Sequence, residues 1–72
     1  MTLKEEIGEK IKECRNGSGL SQRAVAKLIG IAQSSYQRFE AGIFECNYDQ
    51  LLKLAEIFDV SLDFLFGRKN YD

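Results

Sequence analysis

The 72-residue sequence contains no histidine, no proline and no tryptophan. Histidine is the side chain most often used for acid–base catalysis near neutral pH, and the sequence also lacks a glycine-rich phosphate loop and a nucleophile motif. These absences argue against an enzyme, and the sequence contains no cofactor-binding motif. We therefore expect a protein that acts by binding, without catalysis and without a cofactor.

Cysteine is also scarce, and the two present, Cys14 and Cys46, do not form a CxxC motif. A zinc site needs more soft ligands than two thiols provide, so we expect no metal site. The sequence has no signal peptide and no apolar run close to the length of a membrane span, which predicts a cytoplasmic protein with no membrane contact. Because disulfides are rare in the cytoplasm, we interpret both cysteines as small hydrophobic side chains.

Hydrophobic residues recur with the spacing of helices, and strand-like alternation is absent, so the sequence predicts an all-α fold in one domain spanning residues 1–72. Capping residues and glycines divide the chain into five predicted helices. Their expected positions are about Leu3 to Arg15, Ser21 to Gly30, Gln33 to Ala41, Asn47 to Asp59 and Ser61 to Gly67. Residues 16–19 are expected to form a loop and residues 68–72 a flexible tail.

The centre of the chain, residues 20–42, predicts two short helices joined by a tight turn. Ser21 can cap the first helix, and Gly30 follows its last apolar residue, where a left-handed conformation ends a helix at low cost. Ile31 then offers an apolar side chain to fill the turn. The expected core joins these helices to the fourth and consists of Val25, Leu28, Ile31, Tyr36, Phe39, Leu51, Leu54, Ala55 and Phe58.

The outward face of the predicted third helix carries four polar residues, Gln33, Ser34, Gln37 and Arg38. Amides and a guanidinium have the paired donors and acceptors that match base edges in the major groove of DNA, and a hydroxyl can bond a base or a phosphate. The alternative is a solvated helix face with no ligand, since exposed residues are commonly polar. The residues alone leave both interpretations open.

The charge distribution favours the first interpretation, although the net charge of −1 does not. Residues 15–42 hold four basic side chains against one acidic side chain, whereas the segments on either side are net acidic. The positive charge is therefore concentrated in the central segment. So few cations predict a weaker salt dependence of DNA binding than a strongly basic domain shows.

The central segment resembles the helix-turn-helix of the lambda-repressor-like family, also called Cro-type or XRE. The residues that carry the resemblance are Leu20, Ser21, Gln22, Ala24, Ala26, Gly30, Glu40 and Gly42, and the match continues through residues 51–68. The resemblance implies a five-helix DNA-binding domain with its helix-turn-helix at about residues 21–41. It also implies a sequence-specific transcriptional regulator, namely a bacterial or phage repressor that binds a palindromic operator in double-stranded DNA as a homodimer.

The same resemblance indicates which residues contact DNA. It places Gln33, Ser34, Gln37 and Arg38 at base-facing or groove-facing positions and Gln22 at the DNA backbone, and we add Arg23 as a phosphate contact. The sequence departs from the family at Ala32, where a capping Ser or Thr is usual, and in the loop after the third helix, where basic residues are usual. That loop instead contains Ile43 and Phe44, which can fold back onto the core or remain exposed for a partner.

The resemblance further implies an ion pair between Arg15 and Glu40, for which the alternative is two ordinary surface charges. It makes Phe64, Phe66 and Tyr71 candidates for a dimer interface, against the alternative of simple core packing. Two other functions stay open at this point. One is an antitoxin that represses its own operon and binds a toxin, and the other is a protein-interaction module that has lost DNA binding.

Overall fold

The computed structural model describes residues 2–67, and this part of the chain contains five α-helices and no β-strand. The helices are α1 (Leu3–Ser18), α2 (Gln22–Ile29), α3 (Gln33–Glu40), α4 (Tyr48–Phe58) and α5 (Leu62–Leu65). The expected all-α fold is confirmed. None of these five helices is long and apolar enough to cross a membrane. The predicted tail at 68–72, which includes the interface candidate Tyr71, lies outside the described residues.

Side-chain caps begin four of these helices. Thr2 and Asn47 each form a reciprocal capping box with the residue three positions later, and Ser21 and Ser61 each accept a hydrogen bond from a backbone N–H. A cap of this kind stabilises a helix by about 1 kcal/mol. Helix α3 differs, because Ala32 stands at its N-cap and makes no side-chain hydrogen bond. The predicted starts of α1, α2, α4 and α5 are therefore confirmed, and each coincides with a side-chain cap.

The predicted loop at residues 16–18 is wrong, because α1 continues through these residues to Gly19. Gly19 has a φ of 73°, and Leu20 donates its backbone N–H to the Arg15 carbonyl at 3.3 Å, which closes the helix end. This ending satisfies carbonyl groups that the helix itself leaves unpaired. This helix ending offsets the poor helix propensity of Gly17 inside α1, since a glycine in a helix costs about 1 kcal/mol relative to alanine.

The hydrophobic core lies between α1, α2, α3 and α4, and Leu65 of α5 closes one side of it. The side chains of Ile11, Val25, Tyr36 and Leu54 are fully buried at its centre. Ile31 is half-buried and packs against this cluster. The predicted core residues that are buried are Val25, Tyr36, Phe39, Leu51, Leu54, Ala55 and Phe58.

The assignment of Leu28 to the core is wrong, because 58% of this residue is exposed. The buried face of α2 consists of Val25, Ala26 and Ile29. At about 100° of rotation per residue, the centre of that face lies between these three side chains, and Leu28 projects roughly a quarter turn away from it. The apolar residues of α2 were therefore compatible with two different inward faces, and the buried face contains the small Ala26 in place of Leu28.

Helix α1 crosses the C-terminal end of α3 at Gly8, which is buried. A Cβ atom at this position would lie 2.5 Å from the Phe39 carbonyl oxygen and 2.7 Å from that of Glu40. Both atoms belong to the α3 backbone, so the helices approach more closely than any side chain permits. This crossing fixes the end of α3 against α1.

We predict that Gly8→Ala lowers the free energy of unfolding by about 1–3 kcal/mol or more, because the added methyl group must push α1 away from the α3 backbone. The matched control is Gly17→Ala in the same helix, where a Cβ meets nothing within 4 Å. That change should raise stability by about 0.5–1 kcal/mol through helix propensity. Urea unfolding followed by circular dichroism measures both, and equal effects of the two changes would contradict the close crossing.

Candidate nucleic-acid interface

A tight turn at Gly30 joins α2 to α3. Gly30 has a φ of 78° and donates its backbone N–H to the Lys27 carbonyl at 3.2 Å, and Ile31 donates to the Ala26 carbonyl at 3.0 Å. These two bonds end α2 and turn the chain toward the start of α3. The predicted two-helix unit with its left-handed glycine is confirmed.

Helix α3 has one buried face and one exposed face. The buried face holds Tyr36, Phe39 and Glu40, and the two aromatic rings meet edge to face with centroids 6.3 Å apart. The exposed face carries the four predicted reading residues, Gln33, Ser34, Gln37 and Arg38. The structure therefore brings these four side chains together on one surface.

A buried carboxylate at the end of α3 connects three parts of the chain. Arg15 donates to Glu40 through Nε at 2.6 Å and through Nη2 at 3.2 Å, and Nη1 of Arg15 donates to the Leu20 carbonyl at 3.0 Å. Gln22 donates Nε2 to the same carboxylate at 2.9 Å. The Arg15 and Glu40 side chains are only 12% and 3% exposed, so the predicted ion pair is confirmed and is not a pair of surface charges.

The hydrogen bonds to Glu40 decide its ionisation. Burial opposes the charged form of Glu40, but the hydrogen bonds from Arg15 and Gln22, together with the proximity of the buried Tyr36 hydroxyl, outweigh it, and the pKa of Glu40 is lowered. The same contact raises the pKa of Arg15. Burial is the main cause of the raised pKa of Tyr36, and the neighbouring Glu40 carboxylate raises it further. At neutral pH the site therefore holds one carboxylate, one guanidinium and one neutral phenol.

The remaining predicted contact residues lie on α2. Arg23 is exposed in the first turn of α2, whereas Gln22 is half-buried because its amide bonds Glu40. This second role of Gln22 has no local signal in the sequence, because Gln22 lies eighteen residues before Glu40. The position of Lys12 in α1 was not predicted either, and Lys12 lines a shallow depression together with Gln22 and Gln37.

The loop after α3 is exposed. Ile43 is 59% exposed and Phe44 is 43% exposed. The sequence left open whether these residues fold back onto the core or remain exposed, and the structure leaves both of them largely exposed. The Phe44 ring lies against the guanidinium of Arg38, with 5.1 Å between Cζ and the ring centroid. Only the unusual apolar character of this loop hinted at such a contact.

The two cysteines are free thiols that pack against the core from half-buried positions. Burial raises the pKa of Cys46 to about 12, and burial is also the main cause of the raised pKa of Cys14. Both side chains are therefore protonated at neutral pH, as poorly reactive thiols are.

Comparison with known proteins agrees with this geometry. A family model described as helix-turn-helix matches residues 11–65. The chain is 41% identical over 59 residues to the SPbeta prophage-derived uncharacterized HTH-type transcriptional regulator YonR of Bacillus subtilis (strain 168), a match that covers 82% of this chain and 55% of YonR. It is 39% identical over 65 residues to the uncharacterized HTH-type transcriptional regulator YqaE of the same organism, covering 89% of this chain and 56% of YqaE. The chain thus spans about half the length of these curated relatives.

A solved structure shows the same fold. The chain is similar to the restriction-modification controller protein C.AhdI from Aeromonas hydrophila, with a TM-score of 0.79 and 31% identity. The similarity covers 86% of this chain and 94% of that protein.

We predict strong coupling between Arg15 and Glu40 in a double-mutant cycle of Arg15→Met and Glu40→Gln. Each single change should lower the free energy of unfolding by about 3 kcal/mol, because it leaves a buried charged or polar group without its partner. The double change should cost at least about 1 kcal/mol less than the sum of the two. Urea unfolding at neutral pH measures all four proteins.

The control cycle uses Lys10 and Glu13, an ion pair at 3.8 Å in which Glu13 is 69% exposed. Its coupling should stay within about 0.5 kcal/mol, as for exposed pairs. Equal coupling in the two cycles would show that burial adds nothing to the Arg15–Glu40 bridge.

A pH dependence follows from the lowered pKa of Glu40. In the unfolded chain, Glu40 binds its proton near the ordinary glutamate pKa of 4.5, and in the folded protein it does so only at a lower pH. The contacts of the Glu40 carboxylate therefore stabilise the fold fully above pH 4.5, and this stabilisation is lost as the pH falls through the lower pKa of the folded state. We expect Glu40→Gln to flatten the acid side of the stability profile, whereas Glu56→Gln, at an exposed position of α4, leaves it steep. Thermal unfolding from neutral to acid pH tests this, and an unchanged acid slope in Glu40→Gln would contradict it.

Proposed function

The chain belongs to the lambda-repressor-like (XRE-type) helix-turn-helix family, and on this basis we propose that it binds double-stranded DNA at a specific sequence and regulates transcription. In this proposal α3 is the reading helix and enters the major groove with its N-terminal turn toward the base edges. The protein acts in the cytoplasm by binding alone, without a catalytic step.

The observation that carries the proposal is the separation of the two faces of α3. Tyr36 and Phe39 fix one face in the core, and the opposite face presents amides, hydroxyls and a guanidinium. Within residues 2–67, the side chains of Gln33 and Gln37 have no hydrogen-bond partner. Their donors and acceptors are therefore free for base edges, which demand this combination of groups.

Residues at the start of α2 supply the proposed backbone contacts. Arg23 is exposed there and can reach a phosphate as a charged donor. Gln22 uses one amide hydrogen for Glu40 and keeps a second hydrogen for a phosphate oxygen. The N-terminal backbone N–H groups of α2 also favour an anion. These contacts position the protein without reading sequence.

We further propose that two copies bind a palindromic operator. One short reading helix covers few base pairs, and a specific regulator competes with a large excess of random sites. Two helices related by a two-fold axis would enter successive major grooves about 34 Å apart. Phe64 and Phe66 are half-buried at α5 and form the proposed homodimer interface. Repression is the proposed outcome, because a bound dimer excludes polymerase from the same site.

Selection of bound sites from a random duplex pool, followed by electrophoretic shifts at low and moderate salt, tests the function. The expected result is an enriched site with two-fold symmetry and binding above that of random duplex. Enriched sites without symmetry would contradict the dimer. No binding to any duplex would favour a protein-interaction module, the alternative to which exposed Ile43 and Tyr48 point.

We predict different effects for the two groups of contact residues. Gln33→Ala and Arg38→Ala should each weaken binding to the selected site by about 1–3 kcal/mol and relax the preference at one base position. Arg23→Ala should instead weaken binding to every sequence alike and reduce the salt slope by about one, because a phosphate contact carries no sequence information. Titrations of the selected site and its single-base variants at several salt concentrations measure these effects.

Lys53→Ala is the control for loss of a positive charge, since Lys53 is exposed on α4, outside the helix-turn-helix. Its salt slope should equal that of the parent protein. A Gln33→Ala protein with unchanged preference at every base position would remove α3 from the reading role, even if the protein binds DNA.

A further inference from the structure

The loop after α3 is tied to Arg38 by its backbone and by one side chain. The backbone N–H groups of Ile43 and Phe44 both donate to the Arg38 carbonyl, at 2.9 and 3.2 Å. The Phe44 ring then lies against the guanidinium of the same residue at 5.1 Å. Two independent contacts therefore relate the position of this ring to Arg38.

The loop is also held from the side of α1. Gly42 has a φ of 76°, and a Cβ atom there would lie 2.8 Å from the Cα of Glu5, so the loop backbone rests directly on α1. Lys4 donates its Nζ to the Ile43 carbonyl at 3.3 Å. The two residues that precede Phe44 are thus held against α1, which limits the positions that the Phe44 ring can take.

The Arg38 Cζ lies over the face of the Phe44 ring, 5.1 Å from its centroid, which is a cation–π contact. Such a contact is not a hydrogen bond to an acceptor, so it leaves N–H donors of the guanidinium available for a ligand. Within the described residues 2–67, the Arg38 guanidinium has no hydrogen bond or ion pair, and Phe44 is its one ring contact. The ring restricts a long side chain that would otherwise lose many conformations on binding.

We propose that Phe44 is a positioning residue for Arg38, whose guanidinium it restricts so that the N–H donors meet a base with two acceptors on its major-groove edge, a guanine. This inference rests on the proposed function, because it assigns Phe44 a part in sequence reading by α3. A bidentate contact to guanine N7 and O6 needs a guanidinium with few alternative positions, and the contact with the Phe44 ring removes some of them.

Core packing alone does not account for this ring. Phe44 is 43% exposed, and its neighbour Ile43 is even more exposed, so the loop contributes little to the buried cluster. The ring also lines a groove with Phe39 and Cys46, which any apolar side chain of similar size could fill. A leucine would keep the groove contact and lose the aromatic face, so the two roles separate in one substitution.

The test compares Phe44→Leu and Phe44→Tyr with Ile43→Ala, the control for loss of an exposed apolar side chain in the same loop. Affinities are measured for the selected duplex and for its single-base variants, with Arg38→Ala identifying the base that Arg38 reads. Phe44→Leu should lose about two- to fivefold in affinity for the selected duplex, the effect of one cation–π contact. The loss should vanish on duplexes altered at the Arg38 base, whereas Phe44→Tyr and Ile43→Ala should behave as the parent does.

The double variant Phe44→Leu with Arg38→Ala should bind no more weakly than Arg38→Ala alone. Additive losses, or a loss in Phe44→Leu that is equal on all duplexes, would overturn the inference. Thermal unfolding of each variant checks that the fold is retained, and Phe44→Leu should melt close to the parent protein.

A measurement on the free protein separates this inference from the proposed function. Proton NMR should show the Arg38 side-chain resonances shifted by the ring current of Phe44, and the shift should vanish in Phe44→Leu. If the parent protein reads DNA with unshifted Arg38 resonances, the positioning role is wrong and the function stands. If the shift is present and no duplex is bound selectively, the proposed function is wrong and the positioning role falls with it.

Discussion

The buried carboxylate of Glu40 is the interaction on which the arrangement of the helix-turn-helix depends. It receives Arg15 from α1 and Gln22 from α2, and Arg15 also bonds the carbonyl of Leu20 just before α2. A buried charge is costly unless its hydrogen-bonding capacity is filled, so these groups tolerate few other geometries. The end of α3 is thereby held relative to both α1 and α2. The exposed face of α3 takes its direction from this buried contact.

Helix α3 depends on such tertiary contacts because it has little stability of its own. It has eight residues, no side-chain cap at Ala32 and a polar outer face. A helix of this length is marginal in isolation, so packing must hold it. The packing is close at Gly8, where α1 meets the α3 backbone, and extensive at Tyr36, whose side chain is fully buried. The outer face can therefore carry residues chosen for a ligand, since the inner face supplies the stability.

The sequence allowed prediction of features that depend on local chemistry. The cap at Ser21 and the left-handed conformation of Gly30, with a φ of 78°, both follow from residue type and position. Features set by neighbouring elements were harder to predict. Leu28 fitted the apolar spacing of α2 but not its orientation, and the contact of Phe44 with Arg38 depends on where α1 supports the loop. Hydrophobic spacing indicates that a helix has an inner face, whereas the packing of the other helices decides which residues occupy it.

Burial of the ion pair also shapes the surface charge. Arg15 and Glu40 neutralise each other inside the protein, so the exposed cations of the helix-turn-helix are Arg23, Lys27 and Arg38, with no exposed acidic residue in that segment. The opposite charge lies elsewhere, since α1 exposes Glu6, Glu9 and Glu13.

This charge distribution attracts a polyanion to one side of the molecule and repels it from another, which orients the protein as the two approach each other. Each phosphate contact contributes about 0.9 to the salt slope, so the proposed function, in which Arg23 is the cation that contacts phosphate, implies only modest nonspecific affinity. In the proposed function, selectivity comes from base-edge contacts made by α3 and from pairing of two copies, so a fixed orientation of α3 matters more than additional positive charge.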